Sequence, residues 1–328
     1  MIGAQYAKPF GKTLVNQRWY AVTSILLRNI ATKSKTVNEI PSRYLSQEKA
    51  SFYSNRNADI ENGVNLCTRD HNIHVELPQY LRRNYWWAYI NPTMISILDR
   101  KWLVNVVLWG NFTKLRDAAV QELLDTTPQV THNNNTGCSS TCGAKIHGNI
   151  LQISSVYADL TETIVENLAE DATLDVIDVI PAQLINLQHK LERSNVVSNH
   201  EHIHKVSLTC CDASNLSTHF PNNNTFDKVL IFFLLHETPS DVRQKVLAEA
   251  CRVVKHDGKI VIIDYHKPNT ALWRCIMQLM YDIYEPFAMD LWNHPLSHWL
   301  PYGIATHGKE TYFGGLHQKL VLQSCRPK

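Results

Sequence analysis

The chain has 328 residues, is 44% hydrophobic and 19% charged, and carries a net charge of +2. That is ordinary globular material for one large domain or two small ones. The near-neutral balance supplies no field for nucleic acid, so none is expected as a partner. No apolar run approaches the roughly 20 residues needed to span a bilayer.

The first 38 residues contain no acid, while Lys8, Lys12, Arg18, Arg28, Lys33 and Lys35 supply positive charge among hydroxylated and apolar residues. Residues 19–30 (WYAVTSILLRNI) suit an amphipathic helix. This composition predicts a mitochondrial transit peptide over 1–40, hence a location on the matrix side of the inner membrane or in a related organelle. Residues 41–125 read as a linker and then an aromatic-rich helical extension. Its tryptophans are Trp86, Trp87, Trp102 and Trp109, and its basic flanks are Arg82, Arg83, Arg100 and Lys101. Such helices either pack on a core or form a lid at a membrane interface, where Trp, Tyr and basic residues are favoured. Residues 126–149 are polar and low in complexity, and read as a flexible connector. Cys138 and Cys142 lie there without the second half of a zinc pattern, so free thiols in a reducing compartment are expected.

From residue 150 onward, apolar strands alternate with helices. Strands are predicted over 150–156, 174–179, 205–210, 226–235 and 259–265, with a last one near 318–323. Helices are predicted over 161–169, 181–192, 240–254 and 270–292. Continuous apolar strands between helices mark a parallel sheet covered on both faces. The expected fold of 150–328 is therefore α/β, a Rossmann-like, doubly wound, mostly parallel sheet, with the N-terminal helices as an extension.

In such sheets the ligand lies beyond the carboxyl ends of the strands. The first strand runs into Ser155-Val156-Tyr157-Ala158-Asp159, a turn with no glycine. Asp178 ends the second strand, roughly 20 residues on, the usual spacing for a ribose-binding carboxylate. Asp212 and Ala213 end the third, where an adenine can be met. A diphosphate would be repelled by Asp159 at the helix start. S-adenosylmethionine has no phosphate, and its cationic methionine end suits an Asp there. Tyr157, Asp159, Asp178, Asp212, Ala213 and Phe232 are the expected cofactor contacts. His236 and Glu237 follow the fourth strand, and Asp264 and His266 the fifth. These four are the candidate catalytic groups. Glu237, Asp264 and His266 are the first choices as ligands for a metal such as manganese(II), which accepts carboxylate and imidazole. Asp264 alternatively caps the next turn. Trp273, Met277, Met280 and Tyr284 suit a pocket wall, and residues 312–315 either close that pocket or form a tight turn. The histidines at 71, 74, 200, 202 and 204 lie in polar segments and carry less weight.

The stretches YLRRNYWWAYINP, VYADLT, LDVIDVIPAQLINLQHKL, FFLLHETP, VIIDYHKP, EPFAMDLW and TYFGGLHQ together resemble the RquA-type rhodoquinone biosynthesis proteins, which are built like class I methyltransferases. The resemblance spans about 77–318. It implies conversion of ubiquinone to rhodoquinone, an amine replacing a ring methoxy group, with S-adenosylmethionine as amino donor, manganese(II) as metal, and a role in anaerobic metabolism. It also implies a lipid quinone partner and peripheral contact with the inner mitochondrial membrane. The competing expectations are a C- or O-methyltransferase of quinone biosynthesis and a non-catalytic membrane-associated scaffold.

Overall fold

The computed structural model describes residues 65–66, 77–89, 92–125, 144–194 and 205–324. The expected presequence, most of the connector, Cys138, Cys142 and the five histidines of polar segments lie outside them.

Among the described residues eight strands form one sheet: β1 (Asn65–Leu66), β2 (Asn149–Ile153), β3 (Thr173–Asp178), β4 (Val206–Cys210), β5 (Phe226–Phe232), β6 (Val254–Tyr265), β7 (Ile304–Tyr312) and β8 (His317–Ser324). Their order is β1-β4-β3-β2-β5-β6-β8-β7. Strands β1 to β6 pair in parallel, while β8 runs antiparallel to β6 and β7. The expected strands are β2 to β6 and, for the last one near 318–323, β8. This is the Rossmann-like class I methyltransferase fold. Alternate side chains of each strand enter opposite cores. Ile150, Leu174, Val176, Leu230 and Val261 face the helices Phe112–Leu123, Leu160–Glu166 and Pro181–Arg193. Leu151, Ile153, Val229, Ile231 and Ile262 face the helix Ser240–Val253. The chain order reverses between β2 and β5, so the ligand crevice of this topology opens at their carboxyl ends.

Where element bounds differ from expectation, the backbone explains why. Strand β2 stops at Ile153 because Ser154 has φ +81°, and β5 stops at Phe232 because Phe233 has φ +52°. Extended pairing cannot continue through the left-handed region. The segment between the expected helix 240–254 and the expected strand 259–265 is part of β6, whose register against β5 shifts between Phe226 and Lys228. Gly258 is needed there, since an added Cβ would meet the Asp227 carbonyl at 2.7 Å. The helix expected over 270–292 is two, Ala271–Tyr284 and Asp290–Asn293, parted near Pro286. Strand β7 was absent from the sequence reading. Its residues are mostly exposed and polar, so they give no apolar alternation.

Among the described residues the N-terminal extension has four short helices, Gln79–Asn84, Trp86–Tyr89, Pro92–Leu98 and Lys101–Val107, followed by the longer Phe112–Leu123. Tyr80, Tyr89 and Val107 of the short helices, with Tyr85 between the first two, line a cavity at the carboxyl ends of the strands, while Phe112–Leu123 packs on a face of the sheet. Asp99 reaches the first turn: its Oδ1 accepts the Ala158 N–H at 2.9 Å and the Lys190 ammonium at 2.9 Å. Lys190 also donates to the Ala158 carbonyl. Ala158 itself has φ +65°. The turn thus keeps the conformation glycine would allow while carrying a Cβ, and an ion pair braces it.

This generates a stability prediction. Ala158→Gly should preserve the fold and change stability by no more than about 1 kcal/mol, because it removes the left-handed penalty of an L-residue. Ala158→Val should cost more than about 2 kcal/mol, since a branched Cβ is added at a buried left-handed position. Urea unfolding of both variants measures the difference.

Candidate active site

A cavity runs along the carboxyl ends of β2 to β6. It is lined by Ser154 to Tyr157, Asp178 to Ile180, Asp212, Ala213, and Phe232 to Leu234, with His236, Glu237 and Glu285 at one part of its wall. Tyr80, Tyr85, Tyr89, Tyr265, Tyr281 and Tyr284 face it, as do Met277 and Met280.

Of the expected cofactor contacts, Tyr157, Asp178, Asp212, Ala213 and Phe232 line this cavity. Asp178 ties the first turn to the second: Oδ2 accepts the Ser155 N–H at 2.8 Å and Oδ1 the Ile180 N–H at 2.9 Å. Burial pushes its carboxyl up to about 6, against the pull of those N–H groups. Tyr157 stacks on Tyr89 with ring centroids 5.9 Å apart. Its hydroxyl donates to the Ala88 carbonyl at 2.8 Å and accepts from Gln183 at 2.8 Å. Asp159 departs from expectation. It does not line the cavity. Oδ2 is held by Lys101 at 2.6 Å and Arg116 at 2.7 Å, both from the N-terminal helices. Burial disfavours its charge, yet these two cations keep its carboxyl below the usual range. It is neutralised within the protein and does not face the crevice.

The candidate catalytic groups divide in the same way. Adjacent β5 and β6 bring His236, Glu237 and Asp264 together. Asp264 is wholly buried. Its Oδ2 accepts the N–H groups of Leu235 at 2.8 Å and His236 at 3.3 Å. Its Oδ1 accepts the Tyr265 N–H at 2.7 Å and meets His236 Nδ1 at 2.8 Å. Both oxygens are engaged, so Asp264 orients His236 rather than offering itself to a metal. His266 does not join the group. Its Nδ1 meets the Gly315 carbonyl at 2.9 Å and its Nε2 lies 3.3 Å from Lys309 Nζ, because the β7–β8 hairpin draws it away. Burial lowers its basicity. Residues 312–315 are the tight turn of that hairpin, and Phe313, Gly314 and Gly315 all have positive φ. Trp273 likewise leaves the cavity wall and packs on Trp109 and Phe313.

Two residues missing from the sequence reading complete the site. Glu285 follows the helix Ala271–Tyr284 and accepts the Tyr85 hydroxyl at 2.9 Å. Tyr89 donates its hydroxyl to Glu237 Oε1. The Nε2 of His236 lies 3.7 Å from Glu237 Oε1 and 3.9 Å from Glu285 Oε2. One donor atom from each of His236, Glu237 and Glu285 falls within 4.8 Å of the others. Hard oxygens with one imidazole form a donor set suited to a divalent cation such as manganese. The fitting set therefore replaces Asp264 and His266 with His236 and Glu285.

The electrostatics follow from three carboxylates around one buried ring. Burial opposes a charged imidazole, but Asp264 first, then Glu285 and Glu237, outweigh it and raise His236 to about 9. Burial likewise raises Glu237 well above the ordinary range. The His236 charge pulls it down and Glu285 pushes it up. Near neutral pH the surroundings thus favour the protonated form of both groups, His236 charged and Glu237 neutral. His317, packed against Tyr265 on β8, is kept neutral by burial, which lowers it to about 3.

The sign of the linkage is definite. A histidine raised from 6.5 to about 9 on folding contributes stability that is complete below about pH 6.5 and disappears as pH passes about 9. His236→Gln should cost about 3 kcal/mol at pH 6, as expected for removing one partner of a buried pair. The cost should shrink markedly by pH 10. Urea unfolding of both proteins across that range tests it, and a cost independent of pH would show that His236 is uncharged in the fold.

Comparison with known proteins agrees with this architecture. Residues 132–311 match the model of the ubiE/COQ5 methyltransferase family. Among curated proteins, the ubiquinone/menaquinone biosynthesis C-methyltransferase UbiE of Francisella tularensis subsp. novicida (strain U112) is 23% identical over 146 residues, covering 44% of this chain and 51% of that protein. The UbiE of Shewanella pealeana (strain ATCC 700345 / ANG-SQ1) is 27% identical over 143 residues, with the same coverages. The chain thus spans about half the length of the curated relatives it matches. Among solved structures, a SAM-dependent methyltransferase from Aquifex aeolicus aligns at 15% identity over 71% of this chain and 97% of its own, with a TM-score of 0.41. An O-methyltransferase family protein from Burkholderia thailandensis aligns at 11% identity over 69% and 60%, with a TM-score of 0.44. With more than half of its length matched by the family model, the chain belongs to the ubiE/COQ5 methyltransferase family.

Proposed function

We propose that this protein is an S-adenosylmethionine-dependent transferase acting on a lipid quinone, and that it converts ubiquinone to rhodoquinone by replacing a ring methoxy group with an amine. The observation that carries the reading is the His236–Glu237–Glu285 cluster set into a tyrosine- and methionine-lined cavity at the strand ends. A mostly apolar pocket with few convergent polar groups suits a quinone ring and the start of its tail. Asp212, Ala213 and Tyr157 line the cavity at the strand ends, which supports their reading as contacts of the cofactor, while Asp178 holds the N–H groups of Ser155 and Ile180 and so shapes the turns around it.

The roles of the residues follow from their protonation. Charged His236 presents an Nε2–H to the cavity and can donate to a quinone carbonyl oxygen, which makes the adjacent ring carbon more electrophilic. Glu285 can accept the proton released when an amine adds to that carbon, and protonated Glu237 can give one to the departing methoxide, which leaves as methanol. Tyr89 and Tyr85 hold the two carboxylates in place by hydrogen bonds. A manganese(II) ion would be held by Glu237, Glu285 and the neutral form of His236, and would supply Lewis acidity toward a quinone oxygen in place of the His236 N–H.

A second reading rests on the family match and its UbiE relatives: quinone C- or O-methylation from the same cofactor. One assay separates them. The protein is incubated with a short-chain ubiquinone, manganese and S-adenosylmethionine labelled with heavy nitrogen at its amino group. The expected product carries heavy nitrogen in place of a methoxy group. A product gaining only a methyl group selects the second reading. No product, with no cofactor binding by calorimetry, selects a binding module. Glu237→Gln should lower turnover by about a hundredfold or more while leaving the circular dichroism spectrum unchanged.

A further inference from the structure

The helix Ala271–Tyr284 is apolar on two sides. Its inner side supplies buried Met277 and Tyr281. Its outer side carries Leu272 (69% exposed), Ile276 (36%), Leu279 (63%) and Ile283 (37%). At about 100° per residue these four fall in one narrow stripe. Met280, Tyr284 and Met277 come next round the helix, and all three line the cavity. The cavity wall therefore continues without a polar break onto the surface. The charged residues of this helix, Arg274 and Asp282, both fall outside the stripe. On the facing wall, Val107 lines the cavity and is also 46% exposed. Trp102, at the start of the same helix, is 40% exposed.

An apolar stripe that merges with a pocket mouth marks an interaction surface. A rigid protein partner on the stripe would shut the mouth. A fluid lipid surface would leave it open, and exposed aliphatic residues on an amphipathic helix are what such a surface takes up. Among the described residues no helix is long and apolar enough to cross a membrane, so the contact is peripheral. We propose that Leu272, Ile276, Leu279 and Ile283 seat the protein on a lipid bilayer, and that the cavity draws its substrate sideways from the leaflet past Met280 and Tyr284. The entry route rests on the quinone reading above. The seating does not.

The test is sedimentation of the full chain with phosphatidylcholine vesicles, with and without an anionic phospholipid. The native chain should sediment with the vesicles. The double variant Leu272→Ser/Leu279→Ser should lose affinity by about tenfold or more, from the transfer energy of two leucines. Both residues are exposed and outside the cavity, so its melting curve and its turnover of a short-chain quinone should match the native protein. Its turnover of a long-chain quinone held in vesicles should fall by a similar factor. Equal sedimentation of the two proteins overturns the proposal, as does a native chain that stays in the supernatant. A native dimer that the double variant dissolves, seen by sedimentation velocity, also overturns it and assigns the face to a second copy. Vesicle binding lost in the variant, with no turnover of any quinone by either protein, would leave the seating standing and remove the function proposed above.

Discussion

The site depends on one constraint: a strand that ends inside the protein leaves backbone N–H groups that must find acceptors. Two buried aspartates answer it in the same way. Asp264, at the end of β6, accepts the N–H groups of Leu235 and His236 beyond β5. Asp178, at the end of β3, accepts the N–H of Ser155 beyond β2. Each carboxylate therefore fixes the loop of its neighbouring strand. Those two loops form the two sides of the crevice. Where Asp264 also holds His236 Nδ1, a structural device becomes a chemical one, because the other ring nitrogen is then aimed at Glu237 and Glu285.

The glycine-free first turn has a related explanation. Its backbone still enters the left-handed region at Ser154 and Ala158. What changes is the means of holding it there. Asp99 and Lys190 grip the N–H and carbonyl of Ala158, and Asp99 comes from the N-terminal helical extension. Lys101 and Arg116, also from N-terminal helices, neutralise Asp159 beside it. Tyr157 hydrogen-bonds to Ala88 and stacks on Tyr89, and Tyr89 in turn bonds Glu237. A turn that would otherwise be self-sufficient has become dependent on the helices that cover it. Those helices are therefore part of the site, and the choice between core and lid dissolves: Tyr85 and Tyr89 are packed and also face the cavity.

The sequence made legible what rests on periodicity and on position along a strand. Apolar runs between helices identified β2 to β6, and the carboxylates at their ends pointed to the crevice. What stayed hidden depends on contacts between distant segments. Glu285 sits before Pro286 at the end of an apolar helix, and only tertiary packing sets it beside His236, 49 residues earlier in the chain. His266 follows Asp264 by two residues, so position along the strand favours the same side. The β7–β8 hairpin overrides that, and the hairpin was itself concealed by the polar residues of β7. Asp159 was judged by its place at a helix start, where its charge would face the crevice. Two cations more than 40 residues upstream decide otherwise.

The protonation of the cluster bears on which reaction it suits. Its chemistry depends on protonation states near the operating pH, where a group can both give and take a proton. An isolated His or Glu in an apolar wall would be driven to its neutral form. Here burial raises Glu237, while the carboxylates around His236 overcome burial and raise the ring as well. The two move in the same direction for opposite reasons. Both members consequently favour their protonated forms, next to a second carboxylate. Methyl transfer to a ring carbon needs a base once, to remove the displaced ring proton. Replacement of a methoxy group by an amine needs a base for the nitrogen and an acid for the departing methoxide. A protonated Glu237 beside Glu285 sets an acid and a base at one wall, which is what the amination proposed above requires.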